Sequence, residues 1–327
     1  MFAPARLHLG FLDLNGGLGR RFGSLGLAID GLGTRVKVMR DPEAVGREAL
    51  PGRAGRMLAA LTARRFTALG PLRVGIDEAI PEHVGLGAGT QLGLAVAAGV
   101  AALAGERISA RALAPLVERG ARSGIGIGAF ETGGFLVDGG KGIGGAPAPI
   151  VARAAFPAAW CVILILDEQG RGLSGAAEKA AFRTLPPFPE TMAAQLCRLT
   201  LLRVLPGLAE EDFTAVAQSI GEIGARLGDY FTPVQGGRYA SPRVAAVLEW
   251  LHGAGFPGIG QSSWGPTGFV FVEDHREAQA LRAELVRRFG ADTALSFRVC
   301  AGRNRGGEIR RVAPVLAADQ ARRVSVG

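Results

Sequence analysis

Hydrophobic and polar positions in this chain switch between a two-residue and a helical period, and the switches mark out its elements. Ala5 to Leu14 reads as a strand running into Asp13-Leu-Asn-Gly-Gly17, followed by a tight loop from Leu18 to Gly26. Gly33 to Arg40 alternates, with Val36 and Val38 on one face, as a half-buried strand requires. Arg53 to Leu69 puts Met57, Leu58, Leu61 and Phe66 at helical spacing, and Gly70-Pro71 stops it. Leu72 to Ile80 is a strand with Val74 and Ile76 on one face, and the apolar run Leu92 to Ala104 follows it. Ser109 is placed to cap a helix reaching about Arg122, with Leu113, Leu116 and Val117 as its buried stripe.

Ser123 to Lys141 is dense in glycine around two apolar runs. That pattern suits either close backbone packing beside a ligand or a plain glycine-rich loop and hairpin. Gly142 to Phe156 is rich in Gly, Pro and Ala and carries the expected domain boundary, giving domains 1–155 and 156–327. Beyond it, Trp160 to Leu166 is a continuous apolar strand of the buried kind. Helices follow at Glu190 to Val204, Glu211 to Leu227 and Ser241 to His252, the last with Pro242 at its first position. Strands at Gly258 to Ser263 and Thr267 to Glu273 flank Trp264-Gly265-Pro266. A helix, His275 to Phe289, and a strand, Thr293 to Cys300, close the unit. Strand, helices, strand, strand, helix, strand is a split βαβ order, and the fold class is α+β.

The stretch with the most chemistry lies between the strand ending at Ile80 and the helix leaving from Leu92: Pro81-Glu-His-Val-Gly-Leu-Gly-Ala-Gly-Thr-Gln91. A glycine turn at a helix start aims unspent backbone N–H groups at an anion. No acidic residue lies between Gly85 and Ala104 to repel a phosphate. The competing reading is a purely structural turn, because 50 of the 327 residues are glycine. The stretch is neither a Walker loop nor a good dinucleotide fingerprint.

Composition narrows the class. Hydrophobic content of 48% with 20% charged residues is that of a globular chain. The run Leu92 to Ala104 is shorter than the ~18 residues a membrane span needs. Cys161, Cys197 and Cys300 are too widely spaced for a zinc site or a disulfide framework. They suit a reducing compartment, and no secretory pattern opens the chain, so a cytoplasmic protein with no membrane partner is expected. The net charge of +8 invites a nucleic-acid reading. The arginines are scattered, however, and only 6% of residues are aromatic, so a small polyanionic substrate accounts for the charge better.

Pro81-Glu-His-Val-Gly-Leu-Gly-Ala-Gly-Thr-Gln-Leu-Gly93 resembles the second motif of the GHMP kinase superfamily. Ala3-Pro-Ala-Arg-Leu-His-Leu-Gly10 resembles its first, and Gln261-Ser-Ser-Trp-Gly-Pro-Thr-Gly268 stands where the third is expected. The resemblance implies an N-terminal domain like ribosomal protein S5 domain 2 and a ferredoxin-like C-terminal domain. Arg6 to Gly16, Gly19-Arg20, Ser24 to Ala28 and Ser123 to Lys141 are similar to one branch, the β-ribofuranosylaminobenzene 5′-phosphate synthases of tetrahydromethanopterin biosynthesis. Those enzymes join 4-aminobenzoate to phosphoribosyl pyrophosphate and release carbon dioxide and pyrophosphate. The superfamily's kinases usually carry serines where this chain has Ala88 and Gly89, and only Thr90 keeps a hydroxyl.

The resemblance implies roles for particular residues. Gly85, Leu86, Gly87, Ala88, Gly89, Thr90 and Gln91 hold a phosphate or diphosphate. Arg20, and after it Arg21, pairs with phosphate or with the aryl carboxylate. Asp13 holds Mg²⁺ with Thr90, or steadies the cationic sugar; alternatively it closes the Asp-Leu-Asn-Gly turn. Glu131 is a second ligand or a hairpin-edge residue. Arg6, His8 and Asn15 are substrate-binding candidates, with His8 on the same strand face as Arg6. Arg303 to Gly307 is a loop that either reaches the cleft or lies in solvent, the second being expected. A divalent cation, no organic cofactor and a homodimer complete the expectation. The rivals are an ATP-dependent small-molecule kinase of the same superfamily and a basic RNA-binding protein.

Overall fold

The computed structural model describes residues 1–41, 52–172 and 175–312, with the backbone alone at 175–179. Two sheets organise the chain. The first is five-stranded and uses β1 (Phe2–Asp13), β2 (Phe22–Arg40), β3 (Leu72–Glu78), β4 (Phe135–Asp138) and β5 (Ile150–Ala154). β2 is the backbone of this sheet. Residues 24–27 pair with β4, residues 35–40 with β3, and residues 22–35 with β1.

That corrects the sequence reading, which placed a loop from Leu18 to Gly26. The turn ends earlier, and the strand starts at Phe22. Glycines inside it serve packing. A Cβ on Gly26 would come within 2.1 Å of Ile125 Cγ2 and 2.8 Å of Leu7 O, so only glycine lets the covering helix sit against this strand.

α1 (Arg53–Arg64) and α2 (Ala88–Leu103) pack on the first sheet. The helix expected from Ser109 to Arg122 is shorter. Ser109 does accept from Ala112 N, capping α3 (Ala110–Leu113), but a 3-10 turn at Ala114–Val117 ends with Glu118 left-handed. Residues 119 to 123 are thereby released to face a cleft. α4 (Ile125–Glu131) occupies the glycine-dense stretch where a loop was one of the two expectations. Its glycines disfavour a helix, but Gly126 and Gly128 abut Thr90 and Ile150 so closely that a side chain at either would collide.

The second sheet has the order β7 (Ile259–Gln261), β8 (Gly268–Val272), β6 (Cys161–Asp167), β9 (Leu295–Ala301), all antiparallel. Taken in chain order these strands stand 2-3-1-4, the ferredoxin-like arrangement of a split βαβ unit. The helices are α5 (Gly175–Thr184), α6 (Glu190–Leu199), α7 (Leu205–Glu210), α8 (Phe213–Gln235), α9 (Pro242–Gly253) and α10 (His275–Phe289). Through a π-turn at Thr200–Val204, α6 and α7 form one stretch, Glu190–Glu210, which is long and apolar enough to cross a membrane by length and composition. Its Leu196, Leu199, Val204 and Leu208 are buried in the core it shares with α8.

One apolar cluster joins the two sheets: Leu7, Leu9 and Leu27 of the first meet Val162, Leu164 and Phe271 of the second. The chain also crosses back after β9. Glu308 exchanges backbone hydrogen bonds with Phe2, and Arg303 N donates to Ala28 O. Arg303 lies only 3% exposed between Asp30 and Glu308. The sequence reading favoured solvent for this loop, and Asn304 and Arg305 are exposed, but Arg303 is a buried clamp between sheet and tail.

Candidate active site

β3 delivers the chain to the glycine turn. Gly85 and Gly87 both have φ of 88°, a conformation reserved for glycine. Gly87 is the left-handed N-cap of α2, and no side chain caps that helix. Thr90 N and Gln91 N donate to Gly87 O. The N–H groups of Ala88 and Gly89, ahead of them in the first turn, fall to the cleft. Arg6 braces the turn from β1: its N donates to Leu86 O and its Nη1 to Gly85 O at 2.6 Å.

The turn forms one wall of a cleft of about 1230 Å³ between the two sheets. Six cationic side chains line it: Arg6, Arg53, Arg56, Arg119, Arg122 and Lys141. Its carboxylates, among the described residues, are Glu82 and Glu118. Glu82 is held by Arg53 at 3.2 Å and Glu118 by Arg64 at 3.8 Å. Burial, and then the charge of Arg53, lower the pKa of Arg119 from its ordinary value, and its buried Nε has no hydrogen-bond partner. Crowded cations of this kind mark a site built for several negative charges.

The Gly89 position has a specific occupant. A Cβ there would lie 2.4 Å from Arg53 Nη2. The space a serine would use at this turn is taken by a guanidinium.

The predicted residues divide sharply. Arg6, His8, Gly85, Leu86, Gly87, Ala88, Gly89 and Thr90 line the cleft together. Gln91 does not; it is fully buried and its Nε2 donates to Gly126 O at 2.8 Å, fixing α4 to α2. Asp13 is not among the lining residues. Its Oδ1 accepts from Asn15 N at 2.7 Å and Gly16 N at 3.1 Å, closing the turn as the simpler reading had it. Asn15 donates through Nδ2 to Phe188 O. Arg21 donates to Leu14 O, and its backbone pairs with Lys141. Arg20 spans the carbonyls of Gly139 and Gly140 at 2.6 and 2.7 Å. The 13–21 turn thus holds the loop that carries Lys141 into the cleft. Glu131 is exposed at the far end of α4, whose first turn contributes Gly126 to the cleft.

Sequence reasoning passed over Arg53, Arg56, Arg119 and Arg122. A signal was present: Arg53 and Arg56 are three apart on α1 and so share a face, and Arg119 and Arg122 immediately precede the glycine-dense stretch.

At the back of the cleft, where the sheets meet, stand His8, Phe11 and Trp264. His8 is 3% exposed and neither ring nitrogen has a hydrogen-bond partner. Burial, and then the charge of Arg6, push its pKa down to about 3, so the imidazole is neutral.

Comparison with known proteins places this architecture. A family model of the GHMP kinases N terminal domain matches residues 53–134, and one of the GHMP kinases C terminal domain matches residues 204–292. A crystal structure of mevalonate 5-diphosphate decarboxylase superimposes with a TM-score of 0.66 at 14% identity, covering 97% of each chain. The chain therefore has the GHMP kinase fold. The β-ribofuranosylphenol 5′-phosphate synthase of Methanothermobacter thermautotrophicus is 31% identical over 83% of this chain and 88% of its own. That of Archaeoglobus fulgidus is 30% identical over 94% and 97%. The chain belongs to this synthase family, and it is an enzyme of the pentosyltransferase type. These relatives are named for a ribofuranosylphenol, where the sequence motifs suggested a ribofuranosylaminobenzene.

Proposed function

We propose that this enzyme joins a para-substituted benzoate to phosphoribosyl pyrophosphate, releasing carbon dioxide and pyrophosphate and leaving an aryl riboside 5′-phosphate. The acceptor is 4-hydroxybenzoate, in keeping with the relatives' name, with 4-aminobenzoate as the alternative that the sequence motifs favour. The product would feed tetrahydromethanopterin biosynthesis. The observation that carries the reading is the cleft's charge: among the described residues six cations face it against two carboxylates, of which Glu82 is paired with Arg53 at 3.2 Å and Glu118 stands exposed.

The chemistry follows from that balance. As the bond from ribose C1 to the pyrophosphate breaks, negative charge grows on the leaving group. N–H groups at the start of α2, with Arg53, Arg56 and Arg119, line the cleft to receive it. The ring carbon bearing the carboxylate then bonds to C1. Loss of carbon dioxide returns that bond's electron pair to the ring and restores aromaticity. Arg20 and Asp13 position Lys141 through the 13–21 turn.

For magnesium, the described residues hold no cluster of three or more His, Cys, Asp or Glu side chains. The described residues do not by themselves form a cage for the ion. A divalent cation would arrive bound to the diphosphate, as Mg²⁺ commonly does, and no step here is routed through it.

An ATP-dependent kinase of this fold fits less well. Removing a proton from an acceptor hydroxyl calls for a base, and of the carboxylates of the described cleft Glu82 is paired with Arg53 and Glu118 is 82% exposed to solvent. The deciding assay follows carbon dioxide release from carboxyl-labelled 4-hydroxybenzoate and 4-aminobenzoate, with and without phosphoribosyl pyrophosphate and Mg²⁺. Release dependent on the sugar supports the proposal. Release from neither acid, with phosphoryl transfer from ATP to a small alcohol, overturns it.

A further inference from the structure

The main cleft has an appendix. A recess of about 30 Å³ opens behind it, and the two spaces share His8, Phe11, Ser263 and Trp264. That is more than the roughly 10–15 Å³ a single water needs, so the recess admits a hydroxyl or amino group. Its far walls include polar side chains, Gln235, Tyr239 and Gln261, beside the apolar Leu227 and Phe231.

Two polar groups at this junction are buried without hydrogen bonds: both ring nitrogens of His8, and Nε1 of Trp264. Each such group costs stability unless something satisfies it. Their backbones are locked side by side. His8 N donates to Ser262 Oγ at 3.1 Å, and Ser263 N donates to His8 O at 3.0 Å. The Trp264 ring is held too, stacked on Phe182 at 4.7 Å and edge-on to Phe231 at 4.9 Å. Rigid, orphaned polar groups on an apolar wall are how a site reads a single polar atom on a flat ligand.

The shape of the substrate supplies the remaining constraint. In a para-substituted benzoate the donor group and the reacting carbon lie at opposite ends of the ring. The cleft has a matching layout: Arg53, with Arg119 near it, stands against Gly89 of the glycine turn, while the aromatic wall and recess lie at the other end with Arg6 and Arg122 beside them. We infer that the end of the cleft walled by His8, Phe11 and Trp264 is the acceptor subsite, where the His8 imidazole receives the hydrogen of the ring's para hydroxyl or amino group. This deepens the proposed reaction and rests on it.

The electron accounting is closed. As the ring carbon bonds to C1 and pyrophosphate departs with its electron pair, the para oxygen feeds electrons into the ring and its proton passes to His8. When the bond to carbon dioxide breaks, its pair restores the aromatic ring, and His8 returns the proton to the oxygen. No outside oxidant, base or reductant is consumed. A weakly basic imidazole suffices, because the para hydroxyl turns strongly acidic once the ring has lost its aromaticity.

The test measures acceptor and sugar separately in His8→Leu, His8→Gln and Trp264→Phe, each checked for folding by thermal melting. Steady-state assays with 4-hydroxybenzoate give KM for each substrate and kcat. Quenching of tryptophan fluorescence by 4-hydroxybenzoate and by unsubstituted benzoate gives binding without turnover. Expected in the parent enzyme is quenching that Trp264→Phe abolishes, with benzoate binding about tenfold weaker, the worth of one hydrogen bond. His8→Leu erases that preference and lowers kcat, with KM for the sugar pyrophosphate within twofold. His8→Gln, which keeps a hydrogen-bonding side chain, restores part of the preference. Unchanged para preference and kcat in His8→Leu overturns the inference. Should that variant not fold, unchanged preference and kcat in His8→Gln together with full quenching in Trp264→Phe overturns it. If the parent enzyme forms no aryl riboside from any acid, the proposed reaction fails. The quenching titrations then judge the subsite alone, and it stands only if they depend on His8 and Trp264.

Discussion

Ser262 Oγ donates to the carbonyl of Gly85 at 2.9 Å and accepts from the backbone N–H of His8 at 3.1 Å. This one buried hydroxyl of the second domain fastens both the glycine turn and the first strand. Ser262→Ala leaves the buried N–H of His8 unsatisfied and removes one of two donors from the Gly85 carbonyl, which keeps Arg6 Nη1. The expected cost is about 1–3 kcal/mol, read as a lowered midpoint in urea. Activity should fall by more than the population of unfolded protein explains, because the turn and His8 lose their common anchor. Unaltered stability and kcat/KM would remove Ser262 from this role.

Gly265 completes the same seam sterically. A Cβ there would lie 2.3 Å from Val84 O and 2.5 Å from Gly85 Cα. Both obstacles are backbone, which cannot swing aside. Gly265→Ala is expected to push the two loops apart, costing about 1–3 kcal/mol as overpacked sites do, and to raise KM for the sugar pyrophosphate. Tm and steady-state kinetics check it.

Gly89→Ser meets a different obstacle, the end of a flexible side chain, since its Cβ would press on the Arg53 guanidinium. Arg53 can move away, so the fold survives with Tm nearly unchanged. The displaced cation should weaken the sugar pyrophosphate roughly tenfold or more, the range of a hydrogen bond to a charged group. The serine should bring no phosphoryl transfer from ATP, since it adds no base. Appearance of kinase activity would show that the missing serine alone separates the two chemistries.

His8 makes stability depend on pH with a definite sign. Its folded pKa, about 3, lies below the ordinary 6.5. Between those values the unfolded chain binds the proton and the folded chain does not. Stability is therefore undiminished above pH 6.5 and falls as pH drops toward 3, by up to about 1.4 kcal/mol per pH unit for this group. His8→Gln should flatten that part of the curve in denaturant titrations from pH 4 to 7. A parent curve with the same slope as the variant's would mean that His8 titrates normally in the fold.

The order of strands and helices was legible because buried faces leave a period in the sequence, and the superfamily motifs marked the turn at residues 85 to 90. What the sequence hid was spatial. Gly26 and Gly126 look like loop residues until the helix or side chain lying against them is known. Arg119 and Arg122 look like ordinary surface charges, because nothing local says that Glu118 turns left-handed and aims the next residues into the cleft. Asp13 and Arg20 illustrate the converse: a motif marks their positions, but only coordinates distinguish an atom that faces the cleft from one that braces the loop beside it. Trp264 is similar, since it lines the cleft with His8 only because the neighbouring Ser262 is joined to that residue, 254 positions away in the chain.

Arg303 supplies the last case, in which an arginine outside the cleft carries stability. Its Nη1 binds Asp30 at 2.6 Å, and its Nη2 binds Glu308 at 2.7 Å and Gly306 O at 3.0 Å. The guanidinium is 3% exposed, while the two carboxylates are 42% and 32% exposed. Arg303→Met fills similar space but takes the Arg303 partner from Asp30 and the Gly306 carbonyl, and leaves Glu308 only its longer pairs with Arg310 and Arg305. Removing one side of a buried ion pair costs about 3–5 kcal/mol, and the low end applies because the carboxylates can reach water. Arg303→Lys should recover little of this, since one ammonium cannot reproduce the planar fork that reaches Asp30 and Glu308 together. The side-chain hydrogen bond from Arg303 is the main reason Glu308 has its pKa lowered from the ordinary carboxylate value. The stability that this pair adds is present at neutral pH and is lost as acid titrates Glu308 below that value. Arg303→Met should therefore lose that acid-sensitive component along with overall stability, while KM for the sugar pyrophosphate stays within twofold. Denaturant titrations at pH 7 and pH 3.5 measure the first, and kinetics at a temperature well below the variant's Tm the second. An intact Tm in Arg303→Met would show that the returning tail is held by its backbone pairing with Phe2 alone.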